Sequence, residues 1–253
     1  MSNRQKLFGV EIDALNMDQA VEQVFTWIEN PEKECQFVVT PNVDHTVILN
    51  ENEELRRAYE DAGMVLADGH PVVLASKLLR KPLPERVPGS DLVPRIFDEA
   101  DARAPITVFL LGAAEGVAER AADNIHEKWT GVEVVGTYSP PLGFENDPDE
   151  QSRILMLIDD QSPDLLVVGL GAPKQELWTH RHFRDLNAKV ALCVGATIDF
   201  LAGEKKRAPK WVQAIGLEWL HRISTDPGRL IKRYAKDAWV FPQLVWREMN
   251  KQA

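Results

Sequence analysis

Several places in this chain put proton-transferring or phosphate-binding groups directly after a β-branched apolar run. Thr40-Pro41-Asn42 follows one such run, and Asp68-Gly69-His70 ends another. Gly112-Ala113 ends a third, and Gly169-Leu170-Gly171 with Lys174, Gln175 and Glu176 comes after a fourth. Gly195, Thr197 and Asp199 follow a fifth. A carboxylate such as Asp68 can accept a proton from a substrate hydroxyl, because its neighbours and solvent access set its pKa. It can equally be a turn aspartate bonded to its own backbone. Asn42 suits the cap of the next helix, a role compatible with ligand contact. Arg86, in the loop LPERVPGSD, carries a guanidinium fork that suits a diphosphate, or it is a solvated loop arginine.

The stretch VVGLGAPKQELW, residues 167–178, resembles a dinucleotide phosphate loop but lacks its spelling. The fingerprint G-x-G-x-x-G needs a third glycine and an acid about 20 residues on for the ribose. Here Gly169 and Gly171 are followed by Pro173 and Lys174. Proline at a first helical position leaves free N–H groups and a positive dipole end behind it, with the Lys174 charge added. That is chemistry for a phosphate or pyrophosphate; the other reading is a tight turn packing a helix onto its strand.

These residues need a scaffold that brings strand ends together. CQFVVT, MVLAD, ITVFLLG, VEVVGTY, DLLVVGLG and KVALCVG read as strands that are apolar nearly throughout. Between them MDQAVEQVFTWIE, DHTVILNENEELRRAYEDA, GSDLVPRIFDEADA, AEGVAERAADNIHEKW, PDEQSRILMLIDDQ and PKQELWTHRHFRDL repeat apolar positions at three- and four-residue spacing. This alternation predicts an α/β fold, a Rossmann-like, mostly parallel sheet with helices on both faces. Ligands of such sheets bind outside the carboxyl ends of the strands, so all the residues above would ring one crevice. The proline-bearing loop SPPLGFENDPDE is expected to be a mobile insertion.

With 253 residues and 44% hydrophobic content, the chain can bury a full core, and wholesale disorder is excluded. Cys35 and Cys193 lie in apolar runs and read as buried thiols, with a reducing cytoplasm as the default. No apolar run is long enough to span a bilayer, and MSNRQKLFG lacks the apolar centre of a signal peptide. The net charge of −10 is unevenly spread: residues 204–253 hold 11 Lys/Arg against 5 Asp/Glu, the rest 18 against 34. We therefore divide the chain into a body, residues 1–203, and a basic, helical, Trp-rich appendage, residues 204–253.

The appendage holds Trp211, Trp219, Trp239 and Trp246 and opens with a basic loop containing Arg207. Basic charge with interfacial aromatics suggests a membrane surface or a phosphorylated partner, while the acidic body speaks against nucleic acid. A second helix after Asp226-Pro227 would set Leu230, Ile231, Tyr234, Ala238, Phe241 and Val245 on one side, with Arg229, Lys232, Arg233 and Lys236 on the other. Pro242 should kink it. It could dock on the body, lie on a membrane, or act as a lid carrying arginines to phosphates. Two decoys are set aside: Asp147-Pro148-Asp149 reads as a helix start rather than a cation site, and His180 and His182 are spaced wrongly for a metal pair on a helix.

Together TPN, ADGHPVV, ERVPGSDL, LLGAAEGVAERAA, VVGLGAPKQELW, VGATIDFLAGEKKRAPKW and GLEWLHRISTDPGRLIKRY, in order from about Leu7 to Phe241, resemble the WecG/TagA/CpsF family of bacterial glycosyltransferases. The resemblance implies inverting, metal-independent transfer of an N-acetylmannosamine-type hexosyl group from a UDP-sugar to a polyprenyl-diphosphate-linked saccharide. It implies no cofactor, and a cytoplasmic protein held peripherally on the inner membrane face, in cell-surface polysaccharide biosynthesis. By resemblance Asp68 is the general base, Thr40 and Asn42 stand beside it, and Arg86 and Gln175 surround the reacting sugar. Gly112, Thr137, Gly169, Gly171, Lys174, Glu176 and Asp199 fall on the nucleotide side. Arg207, Arg222, Arg229 and Arg233 belong to the appendage, expected to complete the site at the membrane. Ala196 stands where the family often has glycine. A non-catalytic nucleotide-sensing module and a nicotinamide-dependent oxidoreductase remain the competing readings, and self-association into a homo-oligomer is left open.

Overall fold

Even and odd residues of each central strand bury into different layers, which is why helices cover both faces of the sheet. In the computed structural model the described residues are 4–30, 34–209, 212, 216–225 and 227–250. A hairpin, β1 (Arg4–Leu7) and β2 (Val10–Asp13), leads into α1 (Met17–Ile28) and β3 (Gln36–Val39). Then follow α2 (Val43–Glu51), α3 (Glu53–Asp61), β4 (Met64–Val65), α4 (His70–Leu78) and α5 (Gly89–Ala102). β5 (Ile106–Gly112), α6 (Val117–Lys128), β6 (Val132–Tyr138), α7 (Pro148–Gln161) and β7 (Leu165–Gly169) continue the chain. α8 (Lys174–His182), β8 (Val190–Cys193), α9 (Thr197–Leu201), α10 (Glu218–Thr225) and α11 (Pro227–Asn250) complete it.

The six-stranded sheet runs β4-β3-β8-β7-β5-β6, with parallel pairing throughout. Phe37, Val39, Phe109, Leu111, Leu166, Val168, Ala191 and Cys193 pack into a layer shared with α2, α3, α4, α7 and α8. Val38, Val108, Leu110, Leu165, Val167, Val190 and Leu192 pack into the opposite layer with α1, α5, α6 and α9. Cys35 and Cys193 are buried free thiols, as their apolar surroundings suggest. The hairpin secures the short β4: buried Asp13 takes the Val65 N–H at 2.8 Å and pairs with Arg4 at 3.0 Å.

The chain leaves β7 toward β8 on one side and β5 toward β6 on the other, so the sheet's topological switch lies between the ends of β7 and β5. Ligands of open parallel sheets bind at this place.

The structure corrects several expectations. The single helix expected over 44–62 is broken at Asn52, whose backbone is extended (φ −119°, ψ 104°) and whose side chain caps α3 by accepting from Leu55 N at 2.9 Å. The proline-bearing loop is built into the fold rather than a free insertion: Phe144, in a short 3-10 turn, is buried. The appendage is helical as expected, with Pro242 inside α11. Its docked side includes Leu230, Asp237 and Phe241, whereas Ile231 and Ala238 are exposed. Phe241 reaches the main core, its ring 5.3 Å from that of Phe8. No described helix is long and apolar enough to cross a membrane.

Candidate active site

β4 ends at Val65, but the pairing does not stop there, and that continuation positions Asp68. Leu66 N–H donates to Val39 at 2.9 Å, and Asp68 N–H donates to Pro41 at 2.8 Å. On the other flank Val87 N–H donates to Ala67 at 2.7 Å, which lays the Arg86 loop beside the same segment. Gly69 follows at φ +124°, a conformation that costs a side chain but not glycine, and turns the chain at once into α4. Asn42 caps α2 by accepting from His45 N at 3.2 Å. Strand pairing and one helix cap thus hold Asp68 between Asn42 and Arg86.

These three line a cavity of about 340 Å³. Its far wall comes from the appendage: Glu218 and Trp219 of α10 with Arg233, Tyr234, Asp237 and Phe241 of α11. Arg86 lies 3.5 Å from Glu218 and 3.8 Å from Asp91, and Arg233 lies 2.7 Å from Asp44. Burial, reinforced by the Asp44 charge, pushes the Asp237 carboxyl up to about 6.

A second cavity, about 200 Å³, opens at the topological switch, lined by Gly112, Gly169, Leu170, Lys174 and the proline-bearing loop from Pro140 to Phe144. Gly112 sits at φ +118°, and a Cβ there would meet the Gly169 carbonyl carbon and oxygen at 2.6 Å. Only glycine lets these two strand ends approach so closely. Lys174 at the start of α8 pairs with Glu145 at 2.6 Å, and this contact holds the Glu145 carboxyl below its ordinary range. Pro173 stands at the N-cap rather than the first helical position, after a cis peptide bond with Ala172. Gly171 (φ +81°) has open space around it.

Between the cavities lies a buried polar bridge. Thr40 Oγ1 donates to the Cys193 carbonyl at 3.3 Å. Gln175 Oε1 accepts from Gly195 N at 3.1 Å, while its Nε2 donates to Glu176 Oε1 at 2.7 Å. Glu176 is fully buried and lies 3.3 Å from His45 Nε2. Asn42 N–H donates to His45 Nδ1 at 3.2 Å, which leaves the imidazole proton on Nε2, facing Glu176. Burial works against a charged His45, but the hydrogen bond and charge of Glu176, with Asp44, outweigh it and raise its pKa. Sequence reasoning missed His45 and Asp237; His45 was detectable as the third residue after a capping asparagine.

The structure therefore brings Asp68, Asn42 and Arg86 into one cavity and Gly112, Gly169 and Lys174 into the other, and it puts Thr40 and Gln175 between them. Glu176, expected on the nucleotide side, instead lies beneath the bridge. Thr137 lines neither cavity and donates to Glu119 at 3.4 Å. Asp199 also stands apart, paired with Lys205 at 3.0 Å. Arg207 is held by Asp91 and by the Ser90 carbonyl, and Arg233, expected on the basic face, lies on the docked one. The side chains of Arg222 and Arg229 and the whole of Trp211 lie outside the described residues. Among the described residues no group of three or more His, Cys, Asp or Glu is placed to hold a metal ion.

The chain matches the model of the glycosyl transferase WecG/TagA/CpsF family over residues 5–253. It is 31% identical over 224 residues, 88% of this chain and 85% of the relative, to a Staphylococcus aureus (strain MRSA252) protein named N-acetylglucosaminyldiphosphoundecaprenol N-acetyl-beta-D-mannosaminyltransferase. Proteins of the same name from strains NCTC 8325 / PS 47 and COL are 30% identical over the same shares of each chain.

Proposed function

The chain belongs to the WecG/TagA/CpsF family of glycosyl transferases, and from this we propose that it moves an N-acetylmannosamine-type sugar from UDP to a polyprenyl-diphosphate-linked N-acetylglucosamine, with inversion and without a metal ion. The observation that carries the reading is the pair of cavities along the carboxyl edge of the sheet. At one end stands Asp68 between Asn42 and Arg86; at the other is the glycine-walled cavity of the topological switch. Three strand spacings, roughly 14 Å, separate the two ends. An elongated donor fits such a span, with its nucleotide against Gly112 and Gly169 and its sugar toward Asp68.

In this reading the acceptor hydroxyl attacks the anomeric carbon from the face opposite the diphosphate. Asp68 takes the hydroxyl proton as the new C–O bond forms, and the electron pair of the breaking bond leaves with UDP. The diphosphate charge is met by Lys174, by Arg86 and by the positive end of the α8 dipole. Lys174 exchanges its Glu145 partner for the phosphate.

A peripheral place on the inner membrane face, where a lipid-linked acceptor would lie, is supported by the outer side of α11. Ile231, Trp239, Trp246 and Met249 are exposed along it, with Lys232 and Lys236 beside them. The decisive experiment is transfer from a panel of UDP-sugars to a short-chain prenyl-diphosphate N-acetylglucosamine in EDTA. Metal-free turnover with UDP-N-acetylmannosamine supports the reading; binding of UDP without any turnover would reduce the chain to a nucleotide-sensing module.

A further inference from the structure

Three charged residues of α11 lie against or beside α2 within little more than one helical turn, and two of them are neutralised there. Arg233 pairs with Asp44 at 2.7 Å and Lys236 with Glu51 at 3.1 Å. Asp237 is not neutralised in this way. It is only 4% exposed, it lines the cavity that Asp68 also lines, and its Oδ2 is buried with no hydrogen-bond partner among the described residues. Buried carboxylate oxygens are almost always completed by a donor. Lys236 is engaged by Glu51 and the Arg233 terminal nitrogen by Asp44, and Arg233 Nε is itself buried without a hydrogen-bond partner among the described residues. Neither cation therefore completes Oδ2, and its donor must come from what occupies the cavity.

The rest of the cavity says what kind of ligand. Trp219, Tyr234 and Phe241 supply apolar ring surface, and Asp68, Asn42 and Asp237 supply acceptor oxygens. Flat apolar faces with a few convergent acceptors suit a pyranose, which presents C–H faces above and below and hydroxyl or amide donors at its rim.

We propose that Asp237 is a specificity-determining residue whose carboxylate accepts a hydrogen bond from a non-reacting hydroxyl or the acetamido N–H of the acceptor sugar. The appendage thereby reads the acceptor, while Asp68 on the body receives the proton of the reacting hydroxyl. This rests on the reading of the cavity as the acceptor's seat, and it makes acceptor binding and docking of α11 mutually supporting.

The test pairs protein and substrate changes. Full-length wild type, Asp237→Asn and Asp237→Ala are assayed with an alkyl-diphosphate N-acetylglucosamine, its glucosyl counterpart lacking the acetamido group, and single deoxy derivatives at the non-reacting hydroxyls. Loss of a hydrogen bond to a charged acceptor predicts that one derivative falls in kcat/KM by about 10- to 100-fold on wild type. On Asp237→Ala the same derivative is handled like the parent acceptor, with the KM for the UDP-sugar unchanged. Asp237→Asn keeps the shape and an acceptor oxygen and retains part of the discrimination; it serves for the same comparison if the alanine variant fails to fold. Equal discrimination by wild type and both variants overturns the assignment of Asp237 and leaves the function standing. A wild-type chain that uses none of these acceptors overturns the cavity's assignment, and this inference with it.

Discussion

Arg233 of α11 lies 2.7 Å from Asp44, two residues beyond the Asn42 cap, so the appendage is fastened to the helix that begins at the candidate active site. Next to this pair Asp237 is buried, facing Asp44 and His45 from α2 and Arg233 and Lys236 from its own helix. Burial and Asp44 raise its carboxyl from an ordinary 3.8 to about 6. The folded state therefore keeps this proton to higher pH than the unfolded chain does. The resulting stabilisation is complete below about 3.8 and is lost as pH rises through about 6. Docking of α11 should weaken between pH 4 and 7, and Asp237→Asn should flatten that slope and raise the melting temperature at pH 7.5. Calorimetric scans across this range check it; identical slopes for variant and wild type would remove Asp237 as the cause.

Asp68→Ala should lower transfer by about 10²- to 10⁴-fold, the usual contribution of a positioned general base. Affinity for UDP, measured by calorimetry, should change little, because the cavity on the nucleotide side is built from β5, β7 and α8. Turnover near the wild-type rate would show that another group takes the proton.

The parts of this molecule legible in its sequence are those where one physical signal acts alone. α5 and α7 match their predicted spans, 89–102 and 148–161, and Asp147 caps α7 by accepting from Asp149 N and Glu150 N. The break at Asn52 was hidden because apolar spacing runs through it while a local side-chain cap decides the backbone. α4 was absent from the expected helices, because its start, Gly69, lacks a capping side chain. At the site, Asp68, Asn42, Gly112 and Gly169 followed from the strand-end rule, and Arg86 from its guanidinium chemistry and the resemblance. Gln175 and Glu176 were expected in the crevice by the same rule, but α8 begins at Lys174 and turns both inward to Gly195 and His45. Asp237 was obscured by its neighbours, an acid on a helix whose other charges suggested a solvated basic face.

The buried bridge should be expensive to interrupt. Removing Glu176 leaves His45 Nε2 and Gln175 Nε2 without their shared acceptor, and loss of one partner from a buried charged network costs about 3–5 kcal/mol. Glu176→Ala should fall in that range by urea denaturation, and Glu176→Gln, which keeps an acceptor oxygen, should cost less. Both should lower transfer through the displacement of Gln175 and Asn42. A cost under about 1 kcal/mol for the alanine variant would mean that water or a shifted side chain replaces the carboxylate.

The cavity at the topological switch makes a prediction about nucleotide affinity. A Cβ at Gly112 would sit 2.6 Å from the Gly169 carbonyl, so Gly112→Ala must push β5 and β7 apart at the point where the diphosphate would rest. UDP affinity should drop by tenfold or more, with some loss of stability. Lys174→Ala, on an exposed and solvent-screened side chain, should weaken UDP binding without lowering the melting temperature. Unaltered UDP affinity in both variants would move the nucleotide away from this end of the sheet.

The outer face of α11 can be separated from its docked face by substitution. Deleting the whole appendage would expose Phe8 and the α2 surface that Phe241 and Leu230 help cover, so a truncated chain confounds folding with membrane binding. Trp239 and Trp246 are 76% and 65% exposed, seven residues apart and hence on one side of the helix. Their joint replacement by serine should leave the melting temperature within about 1–2 °C, since surface changes of this kind are worth little in stability. Retention on anionic phosphatidylglycerol vesicles should nevertheless fall at least tenfold, because the apolar anchors are lost while the lysines remain. Replacing Lys232 and Lys236 by glutamine should act differently: each basic group near an anionic surface is worth about 1 kcal/mol and is screened by salt. That variant should bind like wild type at high ionic strength and more weakly at low. If neither pair affects sedimentation with vesicles, the exposed tryptophans serve some other contact, and the acceptor must reach Asp68 without the helix lying on the membrane.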